Sequence, residues 1–300
     1  MTESPREKLI RKLSALDQMP SLPVVVTQLL NYFQKPVDHQ NVSEVAHLIS
    51  QDESLAVRCL QLANSPLYGR YQAVETIHGA IVALGLRRMH EVAASVCLLK
   101  MTPLAASVFD PVFFWEHSME CALMSRRLAH AISFPQSDKA YLAGLLHDIG
   151  VIAHLWLVPD EFGQAFQLAT RDHIPLHEAE LSVLGVTHAE TGKHLAERWR
   201  LGPEVTTVIA YHHDISRVSE NKVLTAIVTI ADLLCRMNKM GYGFSEDRQL
   251  DLSQDPAFAC LSSHCAMSNT VDWARLTFEM EGYLQEVRRL VSMFYRVPQN

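Results

Sequence analysis

Positive charge is in short supply. The 26 lysines and arginines stand against 33 aspartates and glutamates, which gives a formal net charge of −7 and a pI near 6.1. Such a chain has no overall attraction for nucleic-acid phosphates, so no nucleic-acid polymer is expected as a partner. The basic pairs Arg87-Arg88, Arg126-Arg127 and Arg288-Arg289 read as solvated helix faces. CxxC spacing is missing among Cys59, Cys97, Cys121, Cys235, Cys260 and Cys265. Most of them sit among apolar helical neighbours, as reduced core thiols do, and no disulfide scaffold is expected. No uninterrupted apolar run reaches the roughly 18 residues that span a bilayer, and the opening Met1–Lys8 is too polar for a signal peptide. The expectation is a cytoplasmic protein without a membrane partner. Strand-like alternation is scarce, and there is no repeat or low-complexity segment.

What remains is helix. With 300 residues, 48% of them hydrophobic, the chain can bury one large core or two moderate ones. Leu22, Val25, Val26, Leu29, Leu30 and Phe33 mark one helical stripe, and Val45, Leu48 and Ile49 the next. Prolines at 20, 23, 36, 66, 103, 111, 135, 159, 175 and 203 cut the pattern into short pieces. The fold class expected is all-α, a compact array of short helices. Ser43 and the pair Ser137-Asp138 are expected as helix starts, the second for a helix containing His147. Lys100–Pro111 marks a candidate boundary. It suggests an extension at 1–13, an N-terminal helical module at 14–110, a central module at 111–240, and a C-terminal turn and helix at 241–300, with Gly241–Asp247 as an exposed turn.

Histidine is abundant, with fifteen in all and many between His117 and His213. In Tyr141–Gly150 a histidine and an aspartate, His147-Asp148, stand together inside an apolar helical pattern. Burying both without partners is costly; a metal ion or a mutual hydrogen bond would relieve it. His117, His188, the pair His212-His213 and Asp232 likewise interrupt or border apolar stripes. Mixed imidazole and carboxylate donors suit one or two divalent transition ions (Fe, Mn, Zn, Ni or Co), and two ions a few ångströms apart would form a bridged hydrolytic pair.

The ordered pattern His, His-Asp, His, His-His, Asp resembles the HD superfamily of helical metal-dependent phosphohydrolases. That resemblance implies His117, His147, Asp148 and Asp232 at one metal, and Asp148, His188 and His212 at a second, with Asp148 bridging. It leaves His213 at the rim or behind the ligands. Glu116 and Glu190, each adjacent to a ligand, could orient it or accept a proton, although ordinary salt bridging is their default role. Met19-Pro20-Ser21-Leu22-Pro23, Ile49–Leu55, Leu62–Gly69 and Ala83–Leu86 narrow the likeness to the HDOD family, the HD-related output domain of bacterial signalling proteins, over about residues 14 to 240. The segment 62–69 also has ordinary structural uses: Asn64 as a cap or Asx turn, Pro66 as a turn start, Gly69 at positive φ.

The chain departs from the related cyclic di-GMP phosphodiesterases. It lacks their Gly-Tyr-Pro segment after the paired histidines, and Val151 stands where a lysine would follow His-Asp-Ile-Gly. A lysine there would supply positive charge to a phosphate, so cyclic di-GMP hydrolysis is not expected. The resemblance implies a signal-transduction output module with a structural or regulatory metal centre and a protein partner. A metal-dependent phosphohydrolase acting on a phosphoester or nucleotide is the alternative, and oxidative di-iron chemistry a third. His154, His173, His177 and His194 are expected in surface or hydrogen-bonding roles, and Cys260, His264 and Cys265 in structural or surface ones.

Overall fold

The computed structural model describes residues 4–15, 28, 41–68, 73–99, 110–239, 241–244, 246, 252–265 and 272–295. The Met19–Pro23 motif, the stripe from Leu22 to Phe33, Gly69 and most of the Lys100–Pro111 stretch lie outside these residues. Among those described there is helix and no strand, as the scarcity of alternation implied. The chain divides into two compact units, one of residues 1–19 and 103–280, the other of residues 20–102 and 281–300.

The second unit contains α2 (Val42–Ser50), α3 (Glu53–Ala63), α4 (Ile77–Leu84) and α5 (Leu86–Leu99). Each of the first three is started by a side chain that accepts a backbone N–H: Asn41, Asp52 and Thr76 respectively. Such caps contribute about 1 kcal/mol apiece. Asn41, not Ser43, caps α2, because its side chain lies before the helix and can turn back onto the Ser43 N–H. Asn64 ends α3, and its amide exchanges two hydrogen bonds with the backbone of Val74, at 2.8 and 2.9 Å. One side chain thus ties the loop across ten positions, with Pro66 opening a 3-10 turn inside it. The core of this unit is apolar: Val45, Ile49, Leu55, Cys59, Leu62, Ile81, Met89 and Val92 are all buried.

In the first unit α1 (Pro5–Ala15) packs on later helices, where Arg6 donates to the Gly185 carbonyl, Lys8 pairs with Glu161 and Lys12 donates to the Leu157 carbonyl. The body is α6 (Pro111–Ala131), α7 (Ser137–Leu146), α8 (Ile149–Leu157), α9 (Pro159–Asp172), α10 (Leu176–Leu184), α11 (His188–Arg198), α12 (Pro203–Tyr211), α13 (Lys222–Met237) and α14 (Pro256–Cys265). Prolines begin α6, α9 and α12, where their missing N–H costs nothing. The last helix, α15 (Trp273–Tyr295), runs across the division between the units.

Residues 137–157 have the length and mean hydropathy, 1.4, of a membrane span, yet 89% of that window is buried inside the protein. Polar residues at 137–139 and 147–148 break the run, so counting consecutive apolar residues does not find it. It is core here, formed by α7 and α8. His147 and Asp148 form the turn between these helices rather than standing within one.

Candidate metal centre

The ligand-type side chains arrive from five places in the first unit. His117 comes from the second turn of α6, His147-Asp148 from the α7–α8 turn, His188 from the first position of α11, His212 from the end of α12, and Asp232 from the middle of α13. All six are at most 3% exposed. Close helix approach makes this convergence feasible. A β-carbon added to Gly150 would lie 1.9 Å from the carbonyl oxygen of His188, and one on Gly192 would lie 2.7 Å from Ile209. Two glycines therefore let α8 and α11 meet backbone to backbone, which carries His188 up to Asp148.

Asp148 is the hub. Its Oδ1 lies 3.0 Å from His188 Nε2 and 3.2 Å from His212 Nε2, while its Oδ2 lies 2.9 Å from His147 Nε2 and 3.6 Å from His117 Nε2. On the second side His117 Nε2 is also 3.2 Å from Asp232 Oδ1. The carboxylate thus presents one oxygen to each of two imidazole pairs. The Nδ1–H of His147 donates to the Gly144 carbonyl at 2.7 Å, and that of His212 to the Ile209 carbonyl at 3.0 Å. Both rings are thereby held with Nε2 turned inward.

These residues fit a metal. Asp148 Oδ1 and His212 Nε2 are buried and have no hydrogen-bond partner, although they lie 3.2 Å apart. An acceptor oxygen and an imidazole nitrogen left facing each other without a bond are the pattern that a shared cation resolves. Two groups bring ligand atoms within 4.8 Å of one another, His117-His147-Asp148 and Asp148-His188-His212-His213, with Asp148 common to both.

The buried ionisable groups shift one another's proton affinities. Burial opposes a charged His188, but Glu180 and then Asp148 outweigh it and push its pKa up to about 10. Burial likewise opposes a charged His147, which Asp148 holds well above the usual range. Asp148 is held well below the carboxylate range against burial, chiefly by His147 and His188. His212 and His213 go down, with burial as the main cause in each. Asp232 is lowered against burial, first by the Arg236 guanidinium, which lies 3.2 Å from it and 2.7 Å from Glu246.

Other residues surround these six. His213 is half-buried at the edge of the cluster, its Nε2 3.0 Å from His188 Nε2 and its ring stacked on His177 at 4.1 Å. Glu190 is exposed and closes the capping box of α11 with Thr187, so it shapes the helix start beneath His188. Glu116 is buried on α6. His154 is completely buried, between Glu180 and Thr191, while His194 is exposed beside Glu197. Gly241–Phe244 is a half-buried bend exposed only at Gly243: Tyr242 donates to Asp148 Oδ2 and sets its ring edge on His117, and Phe244 packs on Phe166. Glu180 and Tyr242 are the functional neighbours missed. Only the apolar setting of Glu180 on α10 could have hinted at the first, and nothing local at the second.

The HDOD domain family model matches residues 19–215. An uncharacterized protein of Treponema pallidum is 28% identical over 227 residues, which are 74% of this chain and 43% of the relative, so the chain spans less than half of that relative's length. Among solved structures, an HDOD domain protein of unknown function from Geobacter sulfurreducens superposes with a TM-score of 0.82 at 26% identity, covering 97% of this chain and 98% of the other. A Shewanella amazonensis protein provisionally named a phosphohydrolase gives 0.73 at 21% identity, covering 96% and 98%, a likeness of fold. Family match, helical fold and the His/Asp cluster agree: this chain belongs to the HDOD family.

Proposed function

We propose that the chain is a signal-transduction output module whose His/Asp centre binds divalent transition metal to stabilise the fold or sense a ligand, and whose helical surfaces engage a protein partner. The observation that carries this reading is enclosure of the centre. His117, His147, Asp148, His188, His212 and Asp232 are buried, His213 is half-buried at their edge, and the phenol of Tyr242 lies on the bridging carboxylate. Structural metal sites are closed in this way, whereas hydrolytic ones keep a coordination position open to substrate. Val151 agrees with it: the side chain standing in place of the phosphate-binding lysine is wholly buried in α8.

His117, His147, Asp148 and Asp232 would hold one ion, and Asp148, His188 and His212, joined by His213, the other. Bound metal would supply positive charge to Asp148 and, in a catalytic version, Lewis acidity. The protein's own part is to hold the Nε2 atoms inward, keep water away and release protons from His147 and His188 as ligands engage. Loading is accordingly favoured as pH rises. The test is elemental analysis of protein purified without added metal, followed by assays on nucleotides, cyclic dinucleotides and a generic phosphodiester. One or two equivalents without turnover are expected. Turnover abolished by Asp148→Ala would replace this reading with the second one, a metal-dependent phosphohydrolase, which the sharing of Asp148 between two ligand groups favours.

A further inference from the structure

Behind the centre, the Nδ1 atoms of His147 and His212 lean on backbone carbonyls, and that of His188 leans on a carboxylate. Glu180, on α10, is completely buried. Its Oε2 accepts both the backbone N–H and the Nδ1–H of His188, each at 2.7 Å, and its Oε1 lies 3.1 Å from His154 Nδ1. His154 is fixed in turn by Thr191 Oγ, 2.8 Å from its Nε2. Thr191 lies on α11, three residues beyond His188, so the chain Thr191–His154–Glu180–His188 closes on the helix that carries the ligand. His147 and His212, by contrast, rest on the Gly144 and Ile209 carbonyls at the ends of their own helices.

A carboxylate behind an imidazole fixes its tautomer and raises its donor strength more than a neutral carbonyl does. Here it also anchors the backbone at the first position of α11, so ring and helix start move together. Resting on the metal-centre reading above, we propose that Glu180 is a positioning residue that makes the His188–His212 side of Asp148 the tighter of two inequivalent metal positions. Glu180 reaches no metal itself. It sets the order in which the two positions fill.

The experiment is titration of the metal-free full chain with Zn2+ and with Co2+ against a chromophoric chelator, with stoichiometry by elemental analysis. Wild type is expected to take two equivalents of unequal affinity. Glu180→Ala is expected to weaken the tighter position about 10- to 100-fold and leave the other unchanged. Glu180→Gln keeps an oxygen to accept from His188, and its amide group can face His154 in the other tautomer, but it is neutral like the carbonyls behind His147 and His212; it is expected to fall between wild type and Glu180→Ala. Affinities unchanged in Glu180→Ala, an equal loss at both positions, or a Glu180→Gln variant as weak as Glu180→Ala would each overturn the proposal. Wild-type protein that takes no metal would overturn the underlying reading as well, so the two failures are distinct. If Glu180→Ala does not fold, nitrogen-15 spectra of the cadmium-loaded wild type decide: His188 bound through Nε2 with its proton on Nδ1 is expected, and binding through Nδ1 overturns the proposal.

Discussion

Among the described residues, the unit of residues 20–102 and 281–300 buries Ser65, Glu91 and Ser95 as its polar side chains. The unit of residues 1–19 and 103–280 buries His117, His147, His154, His188 and His212 together with Glu116, Glu120, Asp148, Glu180 and Asp232. α-Helices build both, so the difference lies in what each core needs to be stable. The core of residues 20–102 and 281–300 is held mainly by apolar burial, at roughly 25 cal/mol per Å². The core of residues 1–19 and 103–280 gathers a cluster of charges where water cannot reach them, and those charges are tolerable only when paired or bound to a cation.

The sharpest way to break this contrast is Asp148→Ala. It strands four imidazoles and is expected to abolish metal uptake and destabilise its own unit by about 3–5 kcal/mol. Hydrogen exchange read by mass spectrometry should rise in peptides from α6 to α13 and hold in α2 to α5; an equal rise in both would end the comparison. Leu62→Ala is the converse. Deleting this fully buried leucine of α3 is expected to cost about 3 kcal/mol in chemical denaturation while metal stoichiometry stays at the wild-type value.

Gly150→Ala comes next, at about 1–3 kcal/mol. Because the new methyl would push on the His188 carbonyl, metal affinity on the His188 side is expected to fall with stability. Normal affinity by titration would show that the α8–α11 approach does not set the ligand distance. The smallest effect belongs to Glu161→Gln, below about 1 kcal/mol for a pair this close to the surface. Burial raises the Glu161 pKa, but Lys8 lowers it further and the net shift is downward from 4.5. Its contribution is therefore present above pH 4.5 and is lost as pH falls through the lowered value. Acid titration of thermal stability should show the variant losing that slope, with docking of α1 otherwise intact.

The all-α class was legible because apolar residues recur at helical spacing and prolines punctuate them. His117, His147, Asp148, His188, His212 and Asp232 stood out because each is a polar residue in an apolar setting, and the fold brings all six together. Local pattern could not show the rest. The apolar periodicity runs straight through His147-Asp148, so the turn there is set by packing of α7 and α8. Glu178 and Glu180 look alike in sequence, and only the approach of α8 and α11 decides which one is enclosed. Tyr242 meets a partner 94 positions away. A Gly-rich stretch reads as a surface turn until its long-range contact is known.

The His147-Asp148 turn has a consequence for biogenesis. Residues 137–157 leave the ribosome as a segment apolar enough to attract chaperones or a lipid surface, and its centre carries the two residues that most need a cation. Packing this segment and gathering the ligands are one event, since α7 and α8 cannot be covered without closing the turn between them. On the proposed metal-centre reading, cellular metal supply bears on how long this apolar part of the nascent chain stays uncovered. On that reading, metal starvation would appear as lost solubility and shortened lifetime of the polypeptide.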